Sequence, residues 1–171
     1  GQSFFDMIDK VHKTFSKWSP AIFFGYNSIF FDEVVLRQSL YQSMYNPYLT
    51  NTKENRRADI YNMVLGLDKL KPDLLKKGIN PKTQKQSYKL EHLATANDLE
   101  QETAHDALSD VIATRELAKL ISKCDASYWE HCISMSDIKY CKEYIQNDDL
   151  FLIGPSYPSQ NYIAASFLTV N

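Results

Sequence analysis

Ala21-Ile22-Phe23-Phe24-Gly25-Tyr26-Asn27-Ser28-Ile29-Phe30-Phe31-Asp32 is the stretch whose reading decides the fold. Ala21 to Tyr26 is short, continuous and apolar, and Asn27 closes it as a turn residue. That is the pattern of a strand buried on both faces of a sheet covered by helices. Such a strand delivers Asp32 to its C-terminal edge. Asp32 or Glu33 then opens a helix through Met44, with Val35, Leu36, Ser39, Leu40 and Ser43 at helical spacing, stopping before Asn46-Pro47. On the other side, Ser3 caps a helix carrying Phe4, Ile8, Val11 and Phe15 at helical intervals, ending near Trp18 and Ser19-Pro20. The expectation is an α/β fold.

Further along, a polar loop from Asn46 to Arg57 leads to Asp59, read as the cap of a helix reaching Leu70. Lys71 to Ser87 is a connection rich in Pro, Gly and Lys. Lys89 to Ala94 begins a helical pattern that closes at Asn97, and Thr103 to Ile121 is the clearest helix in the chain. Its Thr103-x-x-Asp106 is a capping-box pattern, with Ala107, Val111, Thr114, Leu117, Ala118 and Ile121 as the apolar stripe. Ser136 is placed to cap a helix to Gln146. Leu150–Ile153 and Tyr162–Val170 read as strands around Gly154-Pro155 and Pro158, the entry to a second, β-rich unit. The chain opens on Gly with a helix that has nothing before it to pack on, and closes inside an apolar run, so both ends are expected to be cut.

With 171 residues, of which 44% are hydrophobic, the chain is long enough to bury a core. No run approaches a membrane span and the N-terminus carries no export signal, so a cytoplasmic location is expected. Cys124, Cys132 and Cys141 have neither C-x-x-C spacing nor enough neighbouring ligands for zinc, and are read as reduced thiols. A net charge of −2 does not announce a nucleic-acid binder. Charge is nevertheless uneven: Lys53, Arg56 and Arg57 lie together, and Lys69, Lys71, Lys76, Lys77, Lys82, Lys85 and Lys89 precede acids concentrated from Glu91 to Asp110. Basic walls around an acidic site and a merely solvated lysine-rich loop both fit that pattern.

The candidate chemistry lies in Asp32 and in His105-Asp106-Ala107-Leu108-Ser109-Asp110. A carboxylate to hold a divalent cation and an imidazole to take a proton from water are parts that phosphodiester hydrolysis needs. On one helix, His105 and Asp110 are separated by about 7.5 Å of rise, which leaves room for an ion and a water between them. Each residue alone has an ordinary explanation: acids in a first turn answer the helix dipole, and a histidine near a helix start is often only a surface residue.

Taken together, G-Y-N-S-I-F-F-D-E, R-A-D-I, K-L-E-H-L-A-T-A-N and A-H-D-A-L-S-D-V-I-A-T resemble, in order and spacing, the exonuclease I family of DEDDh-type 3'-to-5' exonucleases. The resemblance implies a partial ribonuclease H-like exonuclease domain over residues 1–125. It implies a linker helix and the beginning of an SH3-like domain over 126–171. It further implies that Asp32 matches the second-motif aspartate, His105 the general base and Asp110 the last metal-binding aspartate. Lys89, where an arginine is common, would touch substrate phosphate, and Arg37 and Tyr48 match single-strand DNA contacts. Two Mg²⁺ ions, with Mn²⁺ as a substitute, are the implied cofactors. Single-stranded DNA and single-stranded DNA-binding protein are the implied partners, and 5'-mononucleotides the implied products. His92 and Asp59 are read as structural.

One departure is large. The family's first motif, an Asp-x-Glu on an opening strand, has no counterpart here. Asp98-Leu99-Glu100, the one Asp-x-Glu, follows Asn97 in a polar turn. An N-terminally truncated exonuclease I is therefore expected. Two carboxylates do not easily hold two Mg²⁺ ions about 4 Å apart, so the isolated chain is expected to bind metal poorly and to be at risk of inactivity. Competing readings are a non-catalytic single-stranded nucleic-acid-binding module, a DEDDh exonuclease acting on RNA, and an HD-type phosphohydrolase suggested by His105-Asp106. The last wants more histidines than His12, His92 and His131 supply in a supporting pattern.

Overall fold

Ser3 opens the first helix as its sequence position implies. Its hydroxyl accepts the Asp6 N–H at 3.1 Å and α1 runs Phe4–Trp18. The computed structural model describes residues 2–99, 107–147, 151–154 and 163–165. The chain divides into two compact units, Gly1–Ile60 and Tyr61–Asn171.

In the first unit, β1 (Ile22–Gly25) follows α1, a 3₁₀ turn (Ser28–Phe30) follows β1, and α2 spans Asp32–Gln42. A second 3₁₀ turn (Leu49–Asn51) leads to β2 (Arg56–Asp59), which pairs with β1 in parallel from Ile22↔Arg56 to Gly25↔Asp59. β2 falls where the end of a polar loop and the cap of the next helix were expected. Arg-Arg-Ala-Asp has no apolar alternation, and it is a strand because β1 offers it a backbone edge to pair with. β1 is also not buried on both faces, since Phe24 is 45% exposed. The two-stranded sheet is covered where the Phe23 ring meets Phe15 of α1, with centroids 4.8 Å apart. Ile8, Leu40 and Leu49 form the core, with Phe15, Leu36 and Tyr45 packed around them.

α2 stops at Gln42, two residues before the expected end. Met44 takes a left-handed φ of 62°, and the N–H groups of Met44 and Tyr45 return to the carbonyls of Tyr41 and Leu40. This is a Schellman stop, made here by an exposed Met rather than Gly. Asn55 ties the unit together. Its Oδ1 accepts the Ala21 N–H at 2.9 Å, and its Nδ2 donates to the Leu49 carbonyl at 2.7 Å and the Ser19 hydroxyl at 2.8 Å.

In the second unit, α3 (Ile60–Leu70) begins at the end of the first and carries the buried Met63, Val64, Leu65 and Leu67. The 71–89 connection is irregular, as expected, with one bridge between Ile79 and Gln86. α4 (Leu90–Ala96) packs on α5 (Ala107–Cys124) through a layer that includes the buried Leu93, Ala94, Ala113 and Leu117. α4 ends in a second Schellman stop, with Asp98 at φ 56° and the Leu99 N–H returning to the Ala94 carbonyl. α6 (Ala126–Ser134), unexpected from sequence, is capped by Asp125, whose carboxylate accepts the Tyr128 N–H. The Tyr128 hydroxyl then donates to the Met63 carbonyl at 2.7 Å. α7 (Ile138–Asn147) matches the helix expected after Ser136. β3 (Phe151–Ile153) and β4 (Ile163–Ala165) pair antiparallel within the two stretches expected as strands, the rest of which lies outside the described residues. All three cysteines carry free thiols, and burial pushes the Cys132 thiol up. Among the described residues there are seven α-helices, and none is long and apolar enough to cross a membrane.

Candidate functional site

The link from β1 to Asp32 is a tight left-handed turn. Asn27 sits at φ 55°, a conformation Asn tolerates better than most residues. Gly25 is needed beside it, because a Cβ there would stand 2.8 Å from the Ser28 Cβ and 3.0 Å from its Oγ. Asp59, 4% exposed at the end of β2, points its carboxylate into the turn. Oδ1 accepts the Asn27 N–H at 2.7 Å and Oδ2 accepts the Ile29 N–H at 3.2 Å. Asp59 does immediately precede α3, as the helix-cap reading required, but its carboxylate holds a turn 32 residues upstream.

The two acids of α2's first turn have different fates. Glu33 faces inward. Its Oε2 accepts the hydroxyl of the buried Thr50 at 2.7 Å and lies 3.5 Å from the Arg57 guanidinium. Asp32 is exposed and its carboxylate has no hydrogen-bond or ion-pair partner among the described residues. Of the pair, Asp32 is the one available to a ligand.

Arg37 lies five residues further along α2, and its guanidinium carbon sits 5.6 Å from the centre of the Tyr48 ring. That is within cation–π range, so the two residues expected to hold a strand form one unit. Tyr48 keeps 52% of its surface exposed.

Asp110 lies in the first described turn of α5, exposed, with its carbonyl accepting the Thr114 hydroxyl at 2.7 Å. Leu108 and Val111 beside it are each 65% exposed. Between them, Ser109 is 5% exposed, and its hydroxyl has no hydrogen-bond partner among the described residues. His105, together with the expected cap residues Thr103 and Asp106, lies outside the described residues. Asp32 belongs to the first unit and Asp110 to the second, and each is described within its own.

Lys89 is exposed at the start of α4, with its Nζ 3.7 Å from Glu91. The expected basic stretch is largely matched by acids: Lys71 pairs with Asp125, Lys76 with Asp98, and Lys77 and Lys69 with Asp68. Burial pushes the Asp68 carboxyl up, but the Tyr88 hydroxyl, Lys77 and the Gln86 amide outweigh it and hold it below the usual range. Exposed pairs of this kind are individually weak, but these acids offset much of the positive charge of the stretch. His92 is 13% exposed at its side chain, and its Nδ1 meets the Ser87 hydroxyl at 2.7 Å, as suits a structural histidine.

Among the described residues no group of three or more His, Cys, Asp or Glu side chains is arranged to hold a metal ion. Asp98 of the Asp98-Leu99-Glu100 segment is a helix-stop residue paired to Lys76, not a strand-borne ligand. The contacts that Glu33 makes with Thr50 and Arg57, and those that Asp59 makes with the 27–29 turn, were missed by sequence reasoning. Nothing local marks Glu33 as the engaged acid of its pair, and for Asp59 the one signal was its place in the R-A-D-I segment, which does not say what its carboxylate binds.

No protein-family model matches the chain. Exodeoxyribonuclease I of Escherichia coli strain K12 is 36% identical over 116 residues, which are 66% of this chain and 23% of that protein. The chain thus spans about a quarter of the length of the curated relatives it matches. The crystal structure of E. coli exonuclease I with a dA16 oligonucleotide superposes with a TM-score of 0.76 at 27% identity, covering 84% of this chain and 30% of that one. The zinc-ion-bound form of the E. coli ExoI–ssDNA complex gives 0.75 at 27% identity over the same shares. An SSB/Exonuclease I structure with an inhibitor gives 0.68 at 28%, covering 77% of this chain and 28% of that one.

Proposed function

We propose, from the premise that the chain belongs to the exodeoxyribonuclease I family over the stretch it shares with these relatives, that the protein is a metal-dependent 3'-to-5' exonuclease releasing 5'-mononucleotides from single-stranded DNA. The observation that carries the reading is that an exposed acid and the arginine of a cation–π pair share one helix. Asp32 is exposed and unengaged on α2, and Arg37 of the same helix lies over Tyr48.

In this reading the carboxylates of Asp32 and Asp110 are each ligands for divalent cations, two Mg²⁺ with Mn²⁺ as a substitute. Their hard oxygens are the right donor type, and the zinc-bound ExoI–ssDNA complex supports a divalent metal in the family. Their number is too small: the described residues make no three-donor group, so no chemical step is derived through the ions. The chain's own groups act around them. His105 takes a proton from the attacking water, Arg37 and Lys89 pair with backbone phosphates, and a base stacks on Tyr48. Single-stranded DNA-binding protein is the proposed partner and the cytoplasm the proposed location. Residues 1–125 are assigned to a ribonuclease H-like exonuclease domain. Residues 126–171 are assigned to a linker helix and the start of an SH3-like domain, an assignment supported by the antiparallel β3–β4 pair.

A second reading, a non-catalytic single-strand-binding module, is favoured by one observation. The Arg37–Tyr48 pair is formed within one unit, whereas no described group completes a metal site. The test is Mg²⁺-dependent shortening of 5'-labelled single-stranded DNA, resolved nucleotide by nucleotide. A 3'-to-5' ladder lost in Asp110→Asn and slowed about 10²- to 10⁴-fold in His105→Ala supports the nuclease. A strand that is bound without Mg²⁺ and stays full length supports the binding module.

A further inference from the structure

Asp59 is a buried ionisable side chain that the proposed chemistry does not use. Both of its carboxylate oxygens go to backbone N–H groups of another segment, those of Asn27 and Ile29. These are the second and fourth residues of the six-residue link, Tyr26 to Phe31, between β1 and the acid that opens α2. The parallel register sets Asp59 directly opposite Gly25, the last residue of β1, so the carboxylate meets the chain where it leaves the sheet. At that point the backbone has to turn through the left-handed conformation of Asn27, and Gly25 lets Ser28 fold back against the strand.

We infer that Asp59 is the positioning residue for Asp32. By clamping the Asn27 and Ile29 amides with one carboxylate, it fixes the path of the 27–31 turn and hence where the Asp32 carboxylate stands. The clamp needs a carboxylate in particular, because it presents two acceptors. An Asn of the same shape presents one acceptor and turns an NH₂ toward the second amide. Charged acceptors also make the stronger hydrogen bonds, and this one is shielded from water at 4% exposure. The inference gives Asp59 a place in the proposed nuclease reading because Asp32 is the metal-facing acid there. Its test involves neither metal nor DNA, so it stands or falls apart from that reading.

The experiment is backbone amide hydrogen exchange and N–H residual dipolar couplings on the 171-residue chain, comparing the unsubstituted protein with Asp59→Asn and Asp59→Ala. In Asp59→Asn, the Asn27 amide, the shorter of the two bonds, keeps its protection. The Ile29 amide exchanges about 10- to 100-fold faster, the loss expected for a charged hydrogen bond. In Asp59→Ala both amides lose protection. In both variants the Asp32 coupling changes while the amides of α1 keep their protection. The inference is overturned by unchanged Ile29 exchange, by an unchanged Asp32 coupling once the turn has opened, or by protection lost from α1 to β2 all together. The last outcome, like failure of both variants to fold, would make Asp59 a general structural residue instead.

Discussion

Arg37 and Tyr48 should behave as one strand-binding element, and the structure sets the size of the effect. With the guanidinium 5.6 Å from the ring centre and the ring 52% exposed, the pair is a surface cation–π contact, worth about 0.5–1 kcal/mol. A base stacked on the exposed part of Tyr48 contributes about 1–3 kcal/mol by the usual alanine measure, so Tyr48→Ala should weaken single-strand binding roughly 5- to 150-fold. That loss should be nearly independent of salt, because no charge is removed. If Arg37 pairs with a phosphate as proposed, Arg37→Gln should flatten the slope of log affinity against log salt by about 0.7. It should also weaken the Tyr48 contribution, so the double variant should lose about 2- to 5-fold less than the sum of the two. Fluorescence anisotropy of a 5'-labelled oligothymidylate across a salt series measures all three quantities. An unchanged slope in Arg37→Gln, or strict additivity in the double variant, would refute the reasoning.

Gly25→Ala places a methyl 2.8 Å from the Ser28 Cβ and should destabilise the chain by about 1–3 kcal/mol, read as a thermal midpoint lower by about 2–4 °C per kcal/mol. A midpoint unchanged within error would contradict the close approach. Asn55→Ala leaves the Ala21 N–H and Leu49 carbonyl without their partner and should cost roughly 1–3 kcal/mol for each buried group left unpaired, measured by urea unfolding. The Lys71 ammonium that donates to Asp125, aided by the Tyr128 N–H, holds that carboxyl below the usual range. A depressed folded value means that its contribution to α6 is fully present above the unfolded value of about 3.9 and is lost as pH falls through the lower, folded one. A ¹³C titration of Asp125 should therefore show a midpoint below an ordinary aspartate that rises in Lys71→Met. A midpoint indifferent to Lys71 would remove that cause.

What the sequence made legible were features that announce themselves locally. Ala21–Tyr26 is apolar and closed by Asn27, so β1 and the turn before Asp32 could be read directly, as could the Ser3 cap of α1. β2 was hidden because Arg56-Arg57-Ala58-Asp59 is a strand only by virtue of its neighbour. α6 was hidden although Asp125 is a cap residue three before the Tyr128 amide it accepts, because Asp125 follows directly on the last residue of α5 with no Gly or Pro to mark a new start. At the candidate site, the resemblance singled out Asp32 over Glu33, but the physical difference between them was not legible, because it depends on Thr50 and Arg57, 17 and 24 positions after Glu33 along the chain. The role of Asp59 was out of reach for the same reason, and the two readings of the basic stretch could not be told apart because its acidic partners Asp98 and Asp125 lie in other elements.

The central proposal is that Asp32 and Asp110 are each metal-facing acids, and a Mn²⁺ titration of the ¹⁵N-labelled chain followed by paramagnetic broadening tests it most directly. The account predicts that amide signals around Asp32 and those around Asp110 broaden before those around other exposed acids, at millimolar Mn²⁺ as befits so few ligands, and recover on adding excess Mg²⁺. Broadening that begins instead at other exposed acids such as Asp73 and Asp98, with Asp32 and Asp110 unaffected, would contradict it.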